Sequence, residues 1–362
     1  MKRKFNFSAG PSTLPLQVLE EIQREIVDYR GSGMSLIEAS HRGAEYEAVH
    51  NECIEHVRTL LDVPANYKIL LLGGGATLQF GMVPLNLLHY APEGRAADYV
   101  ISGAWAKKAH QDAAKLGATH IAYDGASSSY TTLPENISLS ENPVYLHITS
   151  NETIGGIRWV DWPDTGAVPL VCDMSSDIMS RPLPIEKFGI IYAGAQKNLG
   201  PAGVTVVIIR DDIVQDSPSQ LPAYLQYSVH AESNSLYNTP PVFSIFAMNL
   251  VLRWVKKQGG VAKMQELAEQ KAELIYSAVQ ASNGFYTSPV DPKYRSLMNV
   301  VFQIADASLD TTFIEEATKH GMVGLKGHRS VGGLRASLYN AMPVSGAEAL
   351  ADFMRSFATR RR

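Results

Sequence analysis

The segment GIIYAGAQKNLGPAGVTVVII (residues 189–209) decides the fold of this chain. It holds two apolar runs, each the length of a buried strand, separated by a turn of mostly small residues. Lys197 lies in that turn, soon after the first run. Lysines usually stay at the surface. Lys197 is therefore either an ordinary surface-loop residue or a partly desolvated amine with a lowered pKa that can act as a nucleophile.

Five more apolar runs precede this segment and predict further strands of the same sheet. Several are apolar throughout, as expected for a sheet covered on both faces. Amphipathic stretches such as 16–29, 46–61 and 107–116 predict helices, and the alternation indicates an α/β domain with a mainly parallel, seven-stranded sheet flanked by helices. The five runs are KILLL (68–72), DYVIS (98–102), HIAY (120–123), VYLHI (144–148) and PLVCD (169–173).

The pattern changes after about residue 240. Two long helices are predicted at 240–257 and 261–281, with a break at Gly259-Gly260. A strand (300–305), a helix (311–320), a glycine-rich stretch and a terminal helix (346–358) follow. We expect a large domain over 16–258 and a smaller α+β C-terminal domain over 259–362.

Composition excludes several classes of protein. The 362 residues are 45% hydrophobic and 19% charged, which is typical of a globular chain with a sizeable core. A net charge of −4 argues against a nucleic-acid partner. No apolar run approaches the ~18 residues of a membrane span, and no apolar stretch follows the basic N-terminus to form a secretory signal. Cys53 and Cys172 are expected as buried thiols, so the sequence indicates a soluble, cytoplasmic protein and most simply an enzyme.

Asp173 ends one predicted strand, and Lys197 follows another. Because the carboxyl ends of parallel strands form the ligand crevice of such a sheet, the two side chains can converge there. Enzymes that use pyridoxal 5'-phosphate (PLP) need this pair: a lysine that forms a Schiff base and an acid that keeps the pyridine nitrogen protonated. The alternative for Asp173 is a structural ion pair or a helix cap.

Two further features suit anionic ligands. The stretch GGGATLQ (73–79) connects a strand to a helix, and open amides at a helix N-terminus bind phosphate. It matches neither the P-loop nor the dinucleotide pattern, and a tight structural turn is the alternative. His41-Arg42 and His328-Arg329 form two His-Arg pairs in glycine-flanked loops, and Arg335 follows the second. Guanidinium groups bind carboxylate and phosphate, although such pairs are often plain surface features.

Taken together, these segments resemble the phosphoserine aminotransferases, which are fold-type I PLP enzymes of serine biosynthesis. The resemblance covers nearly the whole chain. It is most specific in YAGAQKN (192–198) and in the glycine- and arginine-containing stretch 326–343. It implies the fold-type I architecture and an N-terminal segment, 1–15, that packs against the small domain and the active site. The stretches are FNFSAGPSTLP (5–15), SHRG (40–43), GGGATLQF (73–80), GAW (103–105), SNETIGG (150–156), CDMSSD (172–177), YAGAQKNLGPAG (192–203), YNTPP (237–241) and KGHRSVGGLRASLYNAMP (326–343).

Carried over residue by residue, the resemblance implies a PLP site. Lys197 matches the Schiff-base lysine, Asp173 the partner of the pyridine nitrogen, and Trp105 the aromatic side chain that stacks on the ring. Thr153 matches a polar contact to the ring. The residues that match the cradle of the cofactor phosphate are Ala76, Thr77 and Gln196.

The resemblance also implies a homodimer with shared sites, because Asn238 and Thr239 match residues that reach the cofactor phosphate of the neighbouring subunit. Arg335 matches the group that holds the substrate α-carboxylate. Some family members carry an arginine where Thr77 stands, or a serine where Ala9 stands, and these departures affect substrate binding rather than the cofactor. The cluster that receives the distal anion of the substrate is matched by His41, Arg42, His328 and Arg329.

The implied reaction is a ping-pong transamination. L-Glutamate gives its amino group to 3-phosphohydroxypyruvate, which yields O-phospho-L-serine and 2-oxoglutarate. Activity in pyridoxine biosynthesis, known for some members, stays open. The alternatives are another fold-type I PLP protein, such as an alanine–glyoxylate-type aminotransferase or a cysteine-desulfurase relative, a non-catalytic phosphometabolite-binding protein, and a nicotinamide dehydrogenase. Neither cysteine suits a mobile catalytic thiol, and Leu78 replaces the third glycine of the dinucleotide pattern.

Overall fold

The computed structural model describes residues 3–361, so Met1 and Lys2 of the predicted N-terminal segment, and Arg362 of the small domain, lie outside the described residues. Within that range no helix is both long and apolar enough to cross a membrane. The helices are α1 (Leu16–Glu25), α2 (Ala44–Leu60), α3 (Gly75–Leu87), α4 (Ala104–Ala113), α5 (Asp211–Gln215), α6 (Tyr227–Glu232), α7 (Val242–Gln258), α8 (Gly260–Gln280), α9 (Asp310–Lys319) and α10 (Val344–Arg361).

The strands confirm the predicted sheet segments to within one or two residues. They are β1 (Phe5–Asn6), β2 (Tyr67–Leu72), β3 (Ala96–Ile101), β4 (Thr119–Asp124), β5 (Pro143–Thr149), β6 (Asn151–Glu152), β7 (Ile157–Arg158), β8 (Leu170–Asp173), β9 (Ile190–Gly194), β10 (Thr205–Arg210), β11 (Tyr286–Thr287), β12 (Asn299–Ile304), β13 (Met322–Val323) and β14 (Leu334–Ser337).

Seven of these strands form the central sheet, in the order β2-β10-β9-β8-β5-β3-β4. Only β10 is reversed, because it pairs antiparallel with both β2 and β9, whereas the other neighbours are parallel. The central strands β5, β8 and β9 are buried along nearly their whole length. Their carboxyl ends lie side by side, which places Thr149, Asp173 and Gly194 at one edge of the sheet.

The largest error in a predicted helix boundary is at the end of the first helix, and the helix predicted over 107–116 lies three residues later than α4. Apolar periodicity predicted a helix over 16–29, but α1 stops at Glu25 and a short 3₁₀ turn occupies Tyr29–Gly31. Arg30 has φ 52° and Gly31 has φ 77°, which are left-handed values that an α-helix does not accommodate. Val27, which lies within the predicted helix but after the end of α1, is 80% exposed.

A second hydrophobic core lies beside the sheet. It comprises one face of α8, the faces of α9 and α10, and the antiparallel sheet β11-β12-β14. The N-terminal segment joins it, because β1 pairs with β13 and Phe7 is fully buried there. We propose the domain division at 258/259 on this separation of the two cores, with the start of α8 still contacting the first core through Met264.

Candidate active site

A cavity of about 320 Å³ opens at the carboxyl edge of the central sheet. The ends of β5 and β8, the turn after β9, the start of α3 and the N-terminal segment all contribute to its wall. Most of the site residues predicted from the sequence line it. These are Ala76, Thr77, Trp105, Thr153, Asp173, Gln196, Lys197, His328 and Arg335.

Lys197 projects into this cavity from the turn after β9. Its ammonium nitrogen donates to Thr153 Oγ1 at 2.7 Å. The residue is partly exposed, but desolvation of its amine lowers the pKa to about 8, although the carboxylates of Asp173 and Glu152 oppose the shift. An amine with a pKa near 8 has a substantial neutral fraction at physiological pH, so Lys197 is suited to nucleophilic attack.

Asp173 lies at the end of β8 and is 5% exposed. Its Oδ1 accepts from the backbone N–H of Ser175 at 2.9 Å and from the Ser175 hydroxyl at 2.6 Å. Burial raises the pKa of Asp173, while Lys197 and the Ser175 bonds oppose the rise. The second oxygen, Oδ2, makes no hydrogen bond within residues 3–361, so it can receive a cationic N–H from a ligand in the cavity.

Trp105 is positioned by a buried carboxylate that the sequence analysis did not assign. Glu152 accepts from the backbone N–H of Trp105 at 3.1 Å and of Ala106 at 2.8 Å, so it caps the N-terminus of α4. Gly103 is needed at this approach, because a Cβ there would lie 2.5 Å from the Glu152 carboxyl carbon. Burial raises the pKa of Glu152 to about 7.

The start of α3 forms an anion cradle on the floor of the cavity. Gly74 and Gly75 take φ values of 87° and 66°, and a Cβ at Gly74 would lie 2.6 Å from Leu78. The first N–H groups of a helix have no acceptor within the helix. Those of Gly75, Ala76 and Thr77 therefore face a ligand at a helix N-terminus, where negative charge is favoured.

Arg335 lies across the cavity on β14. One guanidinium nitrogen donates to the carbonyl of Thr153 at 3.0 Å, and Nε is buried without a partner in the described chain. Thr153 thus contacts Lys197 through its hydroxyl and Arg335 through its carbonyl, which fixes the separation of the two cationic groups. The remaining guanidinium donors can bind a carboxylate.

The two His-Arg pairs lie in different places. His328 lines the cavity and contacts the Ser330 hydroxyl through Nδ1 at 2.7 Å, whereas Arg329 is exposed and does not line it. Burial lowers the pKa of His328, and the positive charges of Arg335, Arg329 and Lys108 add to that effect.

His41 and Arg42 stand apart from the cavity of their own chain, as do Asn238 and Thr239. The structure nevertheless places the segment 41–42 next to the segment 238–239, because His41 Nδ1 lies 3.3 Å from Thr239 Oγ1. Asn238 and Thr239 line a second cavity of about 280 Å³, whose wall includes Gly73 at the start of the anion cradle. Arg42 is exposed.

This set of side chains fits PLP. A buried amine, a carboxylate with a free oxygen, an indole ring and a helix N-terminus suit its aldehyde, pyridine nitrogen, ring and phosphate respectively. Lys197 Nζ lies 5.8 Å from the centroid of the Trp105 ring, which leaves room for a planar ring against the indole.

The family model of the class-V aminotransferases matches residues 4–350. The fold and the lysine site therefore define the class: the enzyme is a PLP-dependent aminotransferase of fold-type I, as the sequence predicted.

Close relatives narrow the class further. The chain is 52% identical to the phosphoserine aminotransferase of Niallia circulans, with 98% of both chains covered. The phosphoserine aminotransferase structure from Bacillus circulans subsp. alkalophilus has a TM-score of 0.98 at 52% identity, with both chains fully covered. The PLP-bound phosphoserine aminotransferase of Trichomonas vaginalis gives a TM-score of 0.92 at 38% identity, over 98% of this chain and 100% of that one. The chain belongs to the phosphoserine aminotransferase family.

Proposed function

We propose that the enzyme transfers the amino group of L-glutamate to 3-phosphohydroxypyruvate, giving O-phospho-L-serine and 2-oxoglutarate for L-serine biosynthesis. The observation that carries this proposal is the cavity itself, which Lys197, Asp173 and Thr153 line together with the guanidinium of Arg335 and the imidazole of His328. A substrate with a carboxylate at one end and an anion at the other matches that charge pattern.

Lys197 is the catalytic amine. Its Nζ would hold the cofactor, and the free amine would take the proton from the substrate Cα and deliver it to the cofactor carbon that receives the amino group. Bound PLP supplies an electron sink for the negative charge that develops at Cα. Asp173 holds the pyridine nitrogen protonated, and Thr153 keeps the lysine amine beside the reacting carbon through its 2.7 Å hydrogen bond.

Substrate orientation follows from the cations. Arg335 binds the α-carboxylate, since its position is fixed by Thr153 next to Lys197. His328 and Arg329 receive the distal anion, and the proton occupancy of the histidine can follow the charge of a carboxylate or of a phosphate. The same groups serve both half-reactions, so the two substrates alternate in one cavity as a ping-pong mechanism requires.

A homodimer completes the site in this proposal. Thr239 contacts His41, and neither Asn238 nor Thr239 lines the cavity of its own chain. We assign these residues, together with Arg42, to the site of the neighbouring subunit. We also propose a cytoplasmic location, which the free and buried thiols of Cys53 and Cys172 support.

Subunit complementation tests the shared site. Lys197→Ala and Arg42→Ala homodimers are each expected to be nearly inactive, but subunits mixed after partial unfolding should regain about a quarter of the wild-type activity, because half of the dimers then hold one intact site. The control mixes each variant with itself. If the mixed sample stays as inactive as its parents while size-exclusion chromatography shows dimers, Arg42 acts within its own chain.

The reaction is tested by coupled detection of phosphoserine formed from L-glutamate and 3-phosphohydroxypyruvate. A panel of other amino donors and of oxo acids without phosphate serves as the control. Turnover that needs the phosphorylated oxo acid supports the proposal, whereas equal turnover with glyoxylate or pyruvate would assign the enzyme to a different aminotransferase activity.

A further inference from the structure

Lys108 is a cation beside the cavity that neither the mechanism nor the matched motifs use. It lies on α4, one turn after Trp105. Its ammonium nitrogen is 4.4 Å from the centroid of the Trp105 ring, within the range of a cation–π contact. The long side chain of Lys108 therefore runs over the indole that forms one wall of the cavity.

The charge of Lys108 affects His328, which lines the cavity. Together with Arg335 and Arg329 it is one of the positive groups whose repulsion disfavours protonation of His328. The 4.4 Å contact with Trp105 places the Lys108 ammonium against a residue that lines the cavity, as His328 also does.

No carboxylate neutralises this lysine. Within residues 3–361, no Asp or Glu oxygen lies within 4.0 Å of the Lys108 ammonium nitrogen. The side chain is exposed, so its ammonium can move a few ångströms without losing a hydrogen bond. Lys108 is thus an exposed cation beside the cavity wall with no carboxylate partner in the described chain, and it would attract a doubly charged anion bound next to that wall.

We propose that Lys108 is a specificity-determining residue that binds the distal phosphate of the oxo-acid substrate from the α4 side of the cavity. This inference rests on the proposed function, because it adds one more binding residue for the distal phosphate of the same substrate. A phosphate monoester carries close to two negative charges at neutral pH, whereas the distal carboxylate of glutamate carries one. The contribution of Lys108 is therefore larger for the phosphorylated substrate.

Lys107 gives a matched control, since it is an exposed lysine on the same helix, one residue earlier. Lys108→Met removes the charge and keeps the apolar stem over Trp105, and Lys108→Arg keeps the charge. In the holoenzyme, we expect Lys108→Met to raise KM for 3-phosphohydroxypyruvate roughly tenfold, the size of one charge-assisted hydrogen bond, and KM for glutamate less than about threefold. Lys108→Arg and Lys107→Met should stay within about twofold of wild type in both.

Inorganic phosphate supplies a second readout that needs no turnover of the phosphorylated substrate. Its inhibition constant against glutamate should rise in Lys108→Met by roughly the same factor as the oxo-acid KM. Equal changes in both KM values, or a changed cofactor absorption band with unchanged KM, would show that Lys108 acts only through Trp105 and overturn the proposal. Unchanged constants would overturn it as well. Wild-type turnover is measured first, so a failure of the proposed reaction is seen separately from a failure of Lys108.

Discussion

Lys271 and Lys197 both carry desolvated amines, but their hydrogen-bonding surroundings differ, and the difference supports a structural role for Lys271 and the proposed catalytic role for Lys197. Lys271 on α8 is 1% exposed, and its ammonium donates to the carbonyls of Leu338, Tyr339 and Met342 at 2.8–3.2 Å. Lys197 donates to one neutral hydroxyl and lines a cavity. Burial lowers the pKa of both, to about 7 for Lys271 and about 8 for Lys197.

A lowered pKa therefore does not identify the reactive amine. The three N–H donors of the Lys271 ammonium match three carbonyl acceptors, so this lysine has no donor, lone pair or space left for a ligand. Lys197 keeps donors unused and has a carboxylate partner for the cofactor beside it. Lys197, the proposed catalytic lysine, differs from Lys271 in having unsatisfied hydrogen-bonding capacity beside a cavity, which burial alone does not supply.

The largest effect is expected from Lys197→Ala. Removal of the amine eliminates both the covalent hold on the cofactor and the base for the Cα proton, so kcat should fall at least about 10³-fold while cofactor binding persists. Steady-state kinetics and fluorescence titration with PLP measure the two effects. Wild-type-like turnover in this variant would contradict the proposed mechanism.

Lys271→Met should lower the stability of the enzyme and leave its turnover nearly unchanged, in contrast to Lys197→Ala. The substitution leaves three buried carbonyls without donors, and we expect a loss of about 2 kcal/mol in the free energy of unfolding, with kcat per folded site within about threefold of wild type. Denaturant titration and active-site-normalised kinetics are the measurements. Lys263→Met, on an exposed part of the same helix, is the control for stability. A loss of turnover comparable to that of Lys197→Ala would refute the distinction between the two lysines.

A smaller effect is expected at Glu152, which positions Trp105. The Glu152 carboxylate accepts hydrogen bonds from two backbone N–H groups. In Glu152→Gln an amide NH₂ replaces one of the two acceptor oxygens, so one hydrogen bond is lost and PLP affinity should fall roughly tenfold. Glu141→Gln, at an exposed position, should leave that affinity unchanged.

The pH dependence of Glu152 sharpens this prediction. Because burial raises the pKa of Glu152 to about 7, the carboxylate cap is complete only above that pH and is lost as the pH falls through it. The circular dichroism of the bound cofactor should follow this titration in wild type and lose it in Glu152→Gln. An identical titration in both proteins would assign it to another group.

Much of the fold follows from local sequence patterns. The apolar runs at 68–72, 169–173 and 204–209 lie within a residue or two of strands β2, β8 and β10, because strands buried on both faces leave a continuous apolar signal. The break at Gly259-Gly260 was predicted for the same local reason, since Gly259 has φ 110° at the end of α7. The end of α1 was missed, because apolar periodicity does not register the left-handed turn at Arg30.

The site was predicted where motif residues sit at strand ends, and missed where contact depends on distant segments. Lys197 and Asp173 follow adjacent strands, so a parallel sheet alone brings them together. Glu152 meets the Trp105 amide across 47 residues of sequence, and no periodicity marks that contact. Lys108 was predicted only as part of a helix, and its contact with the Trp105 ring is not marked by any sequence motif. The roles proposed for Asn238 and Thr239 require a second subunit, and local sequence patterns do not predict one.

The central claim is that Lys197 is the amine that holds the cofactor. Borohydride reduction of the holoenzyme, followed by digestion and mass spectrometry, tests it most directly, with cofactor uptake by the apoenzyme measured across pH. We predict a cofactor-derived mass on the peptide containing Lys197 and none on that containing Lys271, with the uptake rate half-maximal near pH 8, where the lowered pKa of Lys197 places its neutral form. A label on Lys271, or no label at Lys197, would contradict the account.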